Sequence, residues 1–425
     1  MSKKYASWES NDKILETLTK INPKTELKKS GLPVMYDENS LYIDSRSNHS
    51  IVIGTSGSGK TQTIILPMTE LARISNESVV VYDKSSEIYE RTKKDYENAG
   101  YNVIKINFDN PKESNSWNPF DLIKRYYEDG DSDKATELIE ELGYYLLNDI
   151  NDTNNDPFWL NSAINYFTGI TLYTLKEYKE LNLKTIMKTN YIAQQNPNEF
   201  LKGIDKESSI YINLMGILLS PRDTMGSIFS VFNQRIKLYA EKENLNNMML
   251  KSNFDISKVG LEKTIIYVIS GSDNTSEHLI PILISQIYEA RCENKIDNNR
   301  RINIILNDFS NLYPIKDFAN ILNYSRNLNI IFTIAIKGFN ELRNTYGKEK
   351  AEIIKLSFSN IMYLLSKDIE TLEEISKLCG NTEKEPLVTI EELKTLELYE
   401  GIYLTTRLMP FKTKLLPYYK MKQGK

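Results

Sequence analysis

Eight consecutive residues constrain this chain more than any others: Gly54, Thr55, Ser56, Gly57, Ser58, Gly59, Lys60 and Thr61. They follow the short β-branched run HSIVI and precede QTIILPMTELARI, whose apolar residues recur at helical spacing. Strand, glycine turn and helix in that order is the setting in which backbone N–H groups can wrap a phosphate. The lysine then meets β/γ charge, and the threonine hydroxyl holds magnesium. The expected ligand is therefore ATP with Mg2+, bound by residues 54–61. An isolated glycine turn would need neither flanking element.

The next segments extend the same layout. SVVVYD reads as a second strand ending at Asp83, and NVIKINF as a third after a charged helix, which is the β-α-β-α-β order of a parallel sheet. Residues 121–243 change character, with long amphipathic runs such as KATELIEELGYYLLNDI and almost no alternation. Strands return with KTIIYVIS, INIILNDF, NIIFTIAI, IMYLLS and GIYLTT. The expected fold is α/β, with a mostly parallel central sheet and an inserted all-α domain. Its divisions are an amino-terminal segment at 1–48, the nucleotide domain at 49–120 and 256–425, and the insert at 121–255.

Composition excludes several classes. Of 425 residues, 40% are hydrophobic and 26% charged, the balance of a folded globular chain rather than a disordered one. Cys292 and Cys379 lie far apart and lack histidine neighbours, so neither a disulfide framework nor a zinc site is expected. No run approaches the roughly 18 apolar residues of a membrane span, and a net charge of -4 is not the overall basic footprint of a dedicated DNA-binding domain.

A P-loop needs acidic partners at the end of a neighbouring strand. The best candidate is Ile304-Ile305-Leu306-Asn307-Asp308-Phe309, where the magnesium position holds a neutral Asn307 and the water-orienting position holds Asp308. Asp308 can serve the water or the metal shell, and Asp83 can add to that shell. Turnover is the weakest element of the pattern.

Taken in order, GTSGSGKTQTIILP, SVVVYDKSSEIYERT, GYNVIKINF, SWNPFDL, NDPFWLNSA, NDFSNLYPIKDFANILNYSRNLNIIFTIAI, YGKEKAE and RLMPFKTKLLPYY resemble the type IV coupling proteins of conjugation, the TraG-like family. The resemblance runs from His49 to Tyr419. It implies a RecA-like P-loop domain with an inserted all-α domain, assembled as a homo-hexameric ring that handles single-stranded DNA and relaxase. By position it makes Lys60 and Thr61 the phosphate and magnesium residues and puts Asp308 in place of a glutamate. It makes Arg326 an arginine finger supplied to a neighbouring subunit. The alternative reading of Arg326 is a surface helix arginine. Asn307 and Lys337 depart from the family's aspartate and sensor glutamine, and the family's amino-terminal membrane helices have no counterpart. A cytoplasmic protein held at the inner face of the membrane by an anchored channel partner is therefore expected, with residues 3–48 as the contact.

Charge placement is uneven. Residues 128–156 carry ten acidic side chains and one lysine, either a solvated face or a surface for a basic relaxosome protein. Residues 405–425 carry six basic side chains and no acid, interleaved with Phe411, Tyr418 and Tyr419, either a single-strand binder or a docked terminus. Trp117 and Trp159 read as packing anchors of the insert, and His49 stands near the loop with a role beside base or ribose open. The functional readings are an ATP-driven DNA coupling motor, or a nucleotide-binding recruitment module with little turnover. A small-molecule kinase would have no use for the insert.

Overall fold

The computed structural model describes residues 5–21, 27–37, 39–148, 156–271, 277–293 and 300–423. In chain order its strands are β1 (Thr19–Ile21), β2 (Leu32–Asp37), β3 (Ser40–Asp44), β4 (Ser50–Gly54), β5 (Ser78–Tyr82) and β6 (Asn102–Asn107). They continue as β7 (Thr264–Ile269), β8 (Ile302–Leu306), β9 (Ile330–Ile336), β10 (Asn360–Leu365), β11 (Glu400–Thr405) and β12 (Phe411–Lys414). Nine of them form one sheet in the order β12-β11-β10-β4-β9-β8-β5-β7-β6.

From β10 across to β7 the pairings are all parallel, while β11 and β12 join antiparallel at one edge. Every residue of β4, β5, β7, β8 and β9 is buried, which is why these strands read as continuous Ile/Val runs rather than alternating ones. Parallel pairing has a consequence for chemistry, because all carboxyl ends meet on one edge. Gly54 stands opposite Leu365, Ile53 opposite Ile336, and Leu306 opposite both Ile334 and Tyr82. Residues just past those positions converge outside that edge, where ligands of open α/β sheets bind.

Contacts divide the chain into two units. The first comprises Met1–Lys105, Ser257–Ile269 and Arg291–Lys425, and the second Ile106–Ile256 and Ser270–Ala290. Most of the helix Leu279–Glu293, grouped by the sequence with the strands, falls in the second unit. Within that unit Ser285 donates to Glu141 at 2.6 Å, Gln286 to the Pro119 carbonyl at 2.6 Å, and Lys134 pairs with Glu289 at 2.9 Å. Between residues 121 and 255 the described elements are helices, as expected of the insert. Tyr166, Phe167 and Phe232 form their aromatic centre, and Trp117 is buried edge-on to Phe108. Trp159 is only half-buried, against Phe158.

The amino-terminal segment is not a free arm. β1, β3 and β2 form a small antiparallel sheet, and Ile14, Leu18, Leu32, Val34 and Tyr42 join the core of the first unit. Asp44 accepts from Tyr403 at 2.6 Å and pairs with Arg46, which also reaches Thr405. Removing residues 3–48 would therefore take Ile14, Leu18, Leu32, Val34 and Tyr42 out of that core.

Candidate functional site

The loop after β4 turns twice through the left-handed region, at Gly57 (φ +80°) and Gly59 (φ +93°), where a side chain would be strained. It leads into a π-type turn, Thr61–Ile65, and the helix Leu66–Ile74. Lys60 is 8% exposed, and its ammonium folds back onto the carbonyls of Gly54 and Thr55. Burial lowers its pKa, while Asp308 and Glu341 pull it up and Lys337 pushes it down. Nearby, the buried Ser58 hydroxyl has no hydrogen-bond partner. A buried cation resting on carbonyls and an unmatched hydroxyl are what an anion at this loop would satisfy.

β8 delivers Asn307 and Asp308 two strands away, on the far side of β9. Asn307 is 5% exposed, and its Oδ1 lacks a partner, an orphaned acceptor aimed at no protein donor. Asp308 is half-buried in a left-handed conformation (φ +57°, ψ +46°), a strain that concentrates at functional sites. Asp83, past β5, has both oxygens committed: Oδ1 accepts from the Ser85 amide and hydroxyl, and Oδ2 from the Ile88 amide at 2.8 Å. Burial raises its pKa and Asp308 adds to the rise. Asp83 thus anchors the start of the helix Glu87–Asn98, with both carboxylate oxygens already accepting hydrogen bonds. Lys337, just past β9, pairs with Glu341 at 3.7 Å, and its amide donates to the same carboxylate at 2.8 Å.

Arg326 lies elsewhere. It is exposed in the turn Arg326–Leu328 before β9, hence at the amino edge, about 16 Å of strand from the loop. It cannot serve the P-loop of its own chain. His49 stands at the same edge, before β4, and is 1% exposed. Its Nδ1 accepts from the Phe332 amide at 2.9 Å and its Nε2 lies 2.8 Å from the Leu322 carbonyl, so it is a satisfied core histidine remote from the nucleotide edge. Burial and the nearby Arg326 lower its pKa to about 4, against one bond that raises it.

A lowered histidine pKa means that the unfolded chain binds more protons between about pH 6.5 and 4, so stability should fall as pH drops through that window. The full loss is about 3 kcal/mol. Urea unfolding at pH 7 and pH 4.5 should show most of this loss in the parent and a flatter profile in His49→Gln. Equal slopes would remove His49 as the cause.

The charged stretches resolve in part. In the acidic one, Asp131 caps the helix Ser132–Leu147, Glu137 pairs with Lys134, and Glu141 accepts from Ser285, while residues 149–155 lie outside the described ones. The basic tail is docked: Phe411 and Tyr418 are buried, and Lys422 pairs with Asp95 at 2.6 Å. Of the three tail aromatics only Tyr419 is exposed, at 44%.

A glycine turn with a buried lysine at the carboxyl edge of a parallel sheet, with the strand that leads to Asp308 two places away, defines a RecA-like P-loop fold. The chain belongs to the family described as type IV secretory system conjugative DNA transfer, whose model matches residues 2–385. Unbound TrwBdeltaN70, a bacterial conjugative coupling protein, superposes with a TM-score of 0.68 at 14% identity, over 97% of this chain and 93% of that one. TrwB in complex with ADP and Mg2+ gives 0.65 at 12% identity, covering 97% and 95%. VirB4 of Thermoanaerobacter pseudethanolicus gives 0.60 at 11% identity, covering 95% and 99%. At these identities the likeness is one of fold. No curated protein matches the sequence. Among the described residues no helix is long and apolar enough to cross a membrane.

Proposed function

We propose that this chain is the ATP-consuming coupling protein of a conjugative type IV secretion system, recruiting relaxase-bound single-stranded DNA and helping to drive it to the transfer channel. One observation carries the reading. The buried Lys60, the unmatched Ser58 hydroxyl, the orphaned Asn307 oxygen and the strained Asp308 all belong to the same carboxyl edge. TrwB forms complexes with ADP and Mg2+ and with non-hydrolysable ATP and GTP analogues, which supports a nucleotide in the corresponding place here.

The loop amides of residues 54–61 bind the phosphates, and Lys60 swings from its carbonyl partners to the β/γ oxygens. Among the described residues no cluster of three His, Cys, Asp or Glu side chains could hold a metal alone. Thr61, with Asp308 or Asn307, would hold the magnesium that accompanies the nucleotide. Magnesium, when bound, neutralises charge developing on the transferring phosphoryl group. Asp308 orients the attacking water, and Lys337 is placed to exchange Glu341 for terminal phosphate charge.

Arg326 completes the site only across a subunit boundary, in a homo-hexameric ring. Turnover per subunit should climb with protein concentration in the parent and stay about a thousand-fold lower in assembled Arg326→Ala. A variant that tracks the parent's concentration curve removes the finger role. So does one that loses just as much at dilutions where no oligomer forms. The second reading, a recruitment module with feeble turnover, is favoured by two observations: Asn307 is neutral where a metal ligand belongs, and Asp83 is occupied as a cap. Under either reading the chain meets the membrane through an anchored channel protein.

A further inference from the structure

We infer that Tyr399 is the platform on which the nucleotide's base stacks, an inference that rests on nucleotide binding at residues 54–61. Tyr399 adopts φ +73°, and among the described residues it is the only aromatic in that region. The Glu400 amide donates to the Glu397 carbonyl at 3.0 Å, so Tyr399 occupies the third position of a tight turn, where glycine or asparagine is the residue the backbone favours. A bulky ring held there against its own backbone preference points to a use for the ring.

The ring lies on the phosphate loop. A Cβ built on Gly59 would stand 3.4 and 3.5 Å from Cδ1 and Cε1 of Tyr399 and 3.7 Å from Cδ1 of Leu398. Leu398 is 59% exposed. This group leads into β11, on the β10 side of β4. Asn307, Asp308 and Lys337 come from β8 and β9, on the opposite side. A triphosphate whose terminal end faces those groups must send its nucleoside the other way, toward Tyr399. A flat apolar face with a phenol edge takes any purine by stacking, without reading its substituents.

The test is calorimetric titration of the full chain with ATP and, separately, with inorganic tripolyphosphate, both with magnesium. Tyr399→Gly suits the turn better than the parent residue and should still weaken ATP roughly 5- to 150-fold. Tripolyphosphate should bind as in the parent, and Tyr399→Phe should restore ATP. Parental ATP affinity in Tyr399→Gly overturns the platform. Equal loss for both ligands also overturns it, because the ring would then be shaping the loop. If the parent binds neither ligand, the nucleotide reading itself has failed.

Discussion

Lys60→Ala should weaken ATP by about a hundred-fold, roughly 3 kcal/mol, and ADP by clearly less. The asymmetry follows from geometry. The buried ammonium feels the charges of Asp308, Glu341 and Lys337, the groups proposed to face terminal phosphate, whereas the backbone amides that hold the inner phosphates survive the substitution. Loss of the ammonium also leaves the buried Gly54 carbonyl and the half-buried Thr55 carbonyl without their side-chain donor. Calorimetry with a non-hydrolysable ATP analogue reads the effect directly. Equal affinity in parent and variant would dissociate residues 54–61 from nucleotide binding.

The second large effect concerns Asn307 and Asp308. Asn307→Asp should restore a charged ligand at the end of β8 and raise turnover on the order of ten-fold, whereas Asp308→Asn should abolish at least about 99% of whatever turnover the parent has. Asn307→Asp carries a second signature. Asp83 already feels Asp308, so a third carboxylate should lower thermal stability in metal-free buffer and magnesium should recover it. Unchanged turnover in both variants, with no magnesium-dependent stability in Asn307→Asp, would mean that a different strand serves the phosphates.

Much of this layout is legible in the residues alone, for a physical reason. The buried parallel strands carry their signal locally, as β-branched runs bounded by turns, and the glycine loop needs only its two flanking elements to be recognised. The small β1-β3-β2 sheet escapes sequence reading because β1 has only three residues and the hairpin turn before β3 shows itself only in Asn39, at φ +62°. The side-chain commitments are less accessible. Asp83 reads as a spare metal ligand in the sequence because its hydrogen-bond donors, at Ser85 and Ile88, are backbone and hydroxyl groups that any sequence supplies. His49 is close to the glycine loop in sequence, yet the length of β4 separates the two in space, so nearness along the chain points to the wrong edge. Tyr399 carries only a faint sequence signal, a bulky residue in a short turn before a strand, because its left-handed backbone is invisible without the fold.

Steady-state ATP hydrolysis by the purified parent chain, with and without single-stranded DNA, tests the central claim most directly. A coupling motor should turn over ATP with magnesium and accelerate several-fold when single-stranded DNA is added at low salt, with Lys60→Ala silent in both conditions. ATP bound tightly but hydrolysed no faster than by Asp308→Asn, with or without DNA, would contradict a motor and leave the recruitment module as the function of this fold.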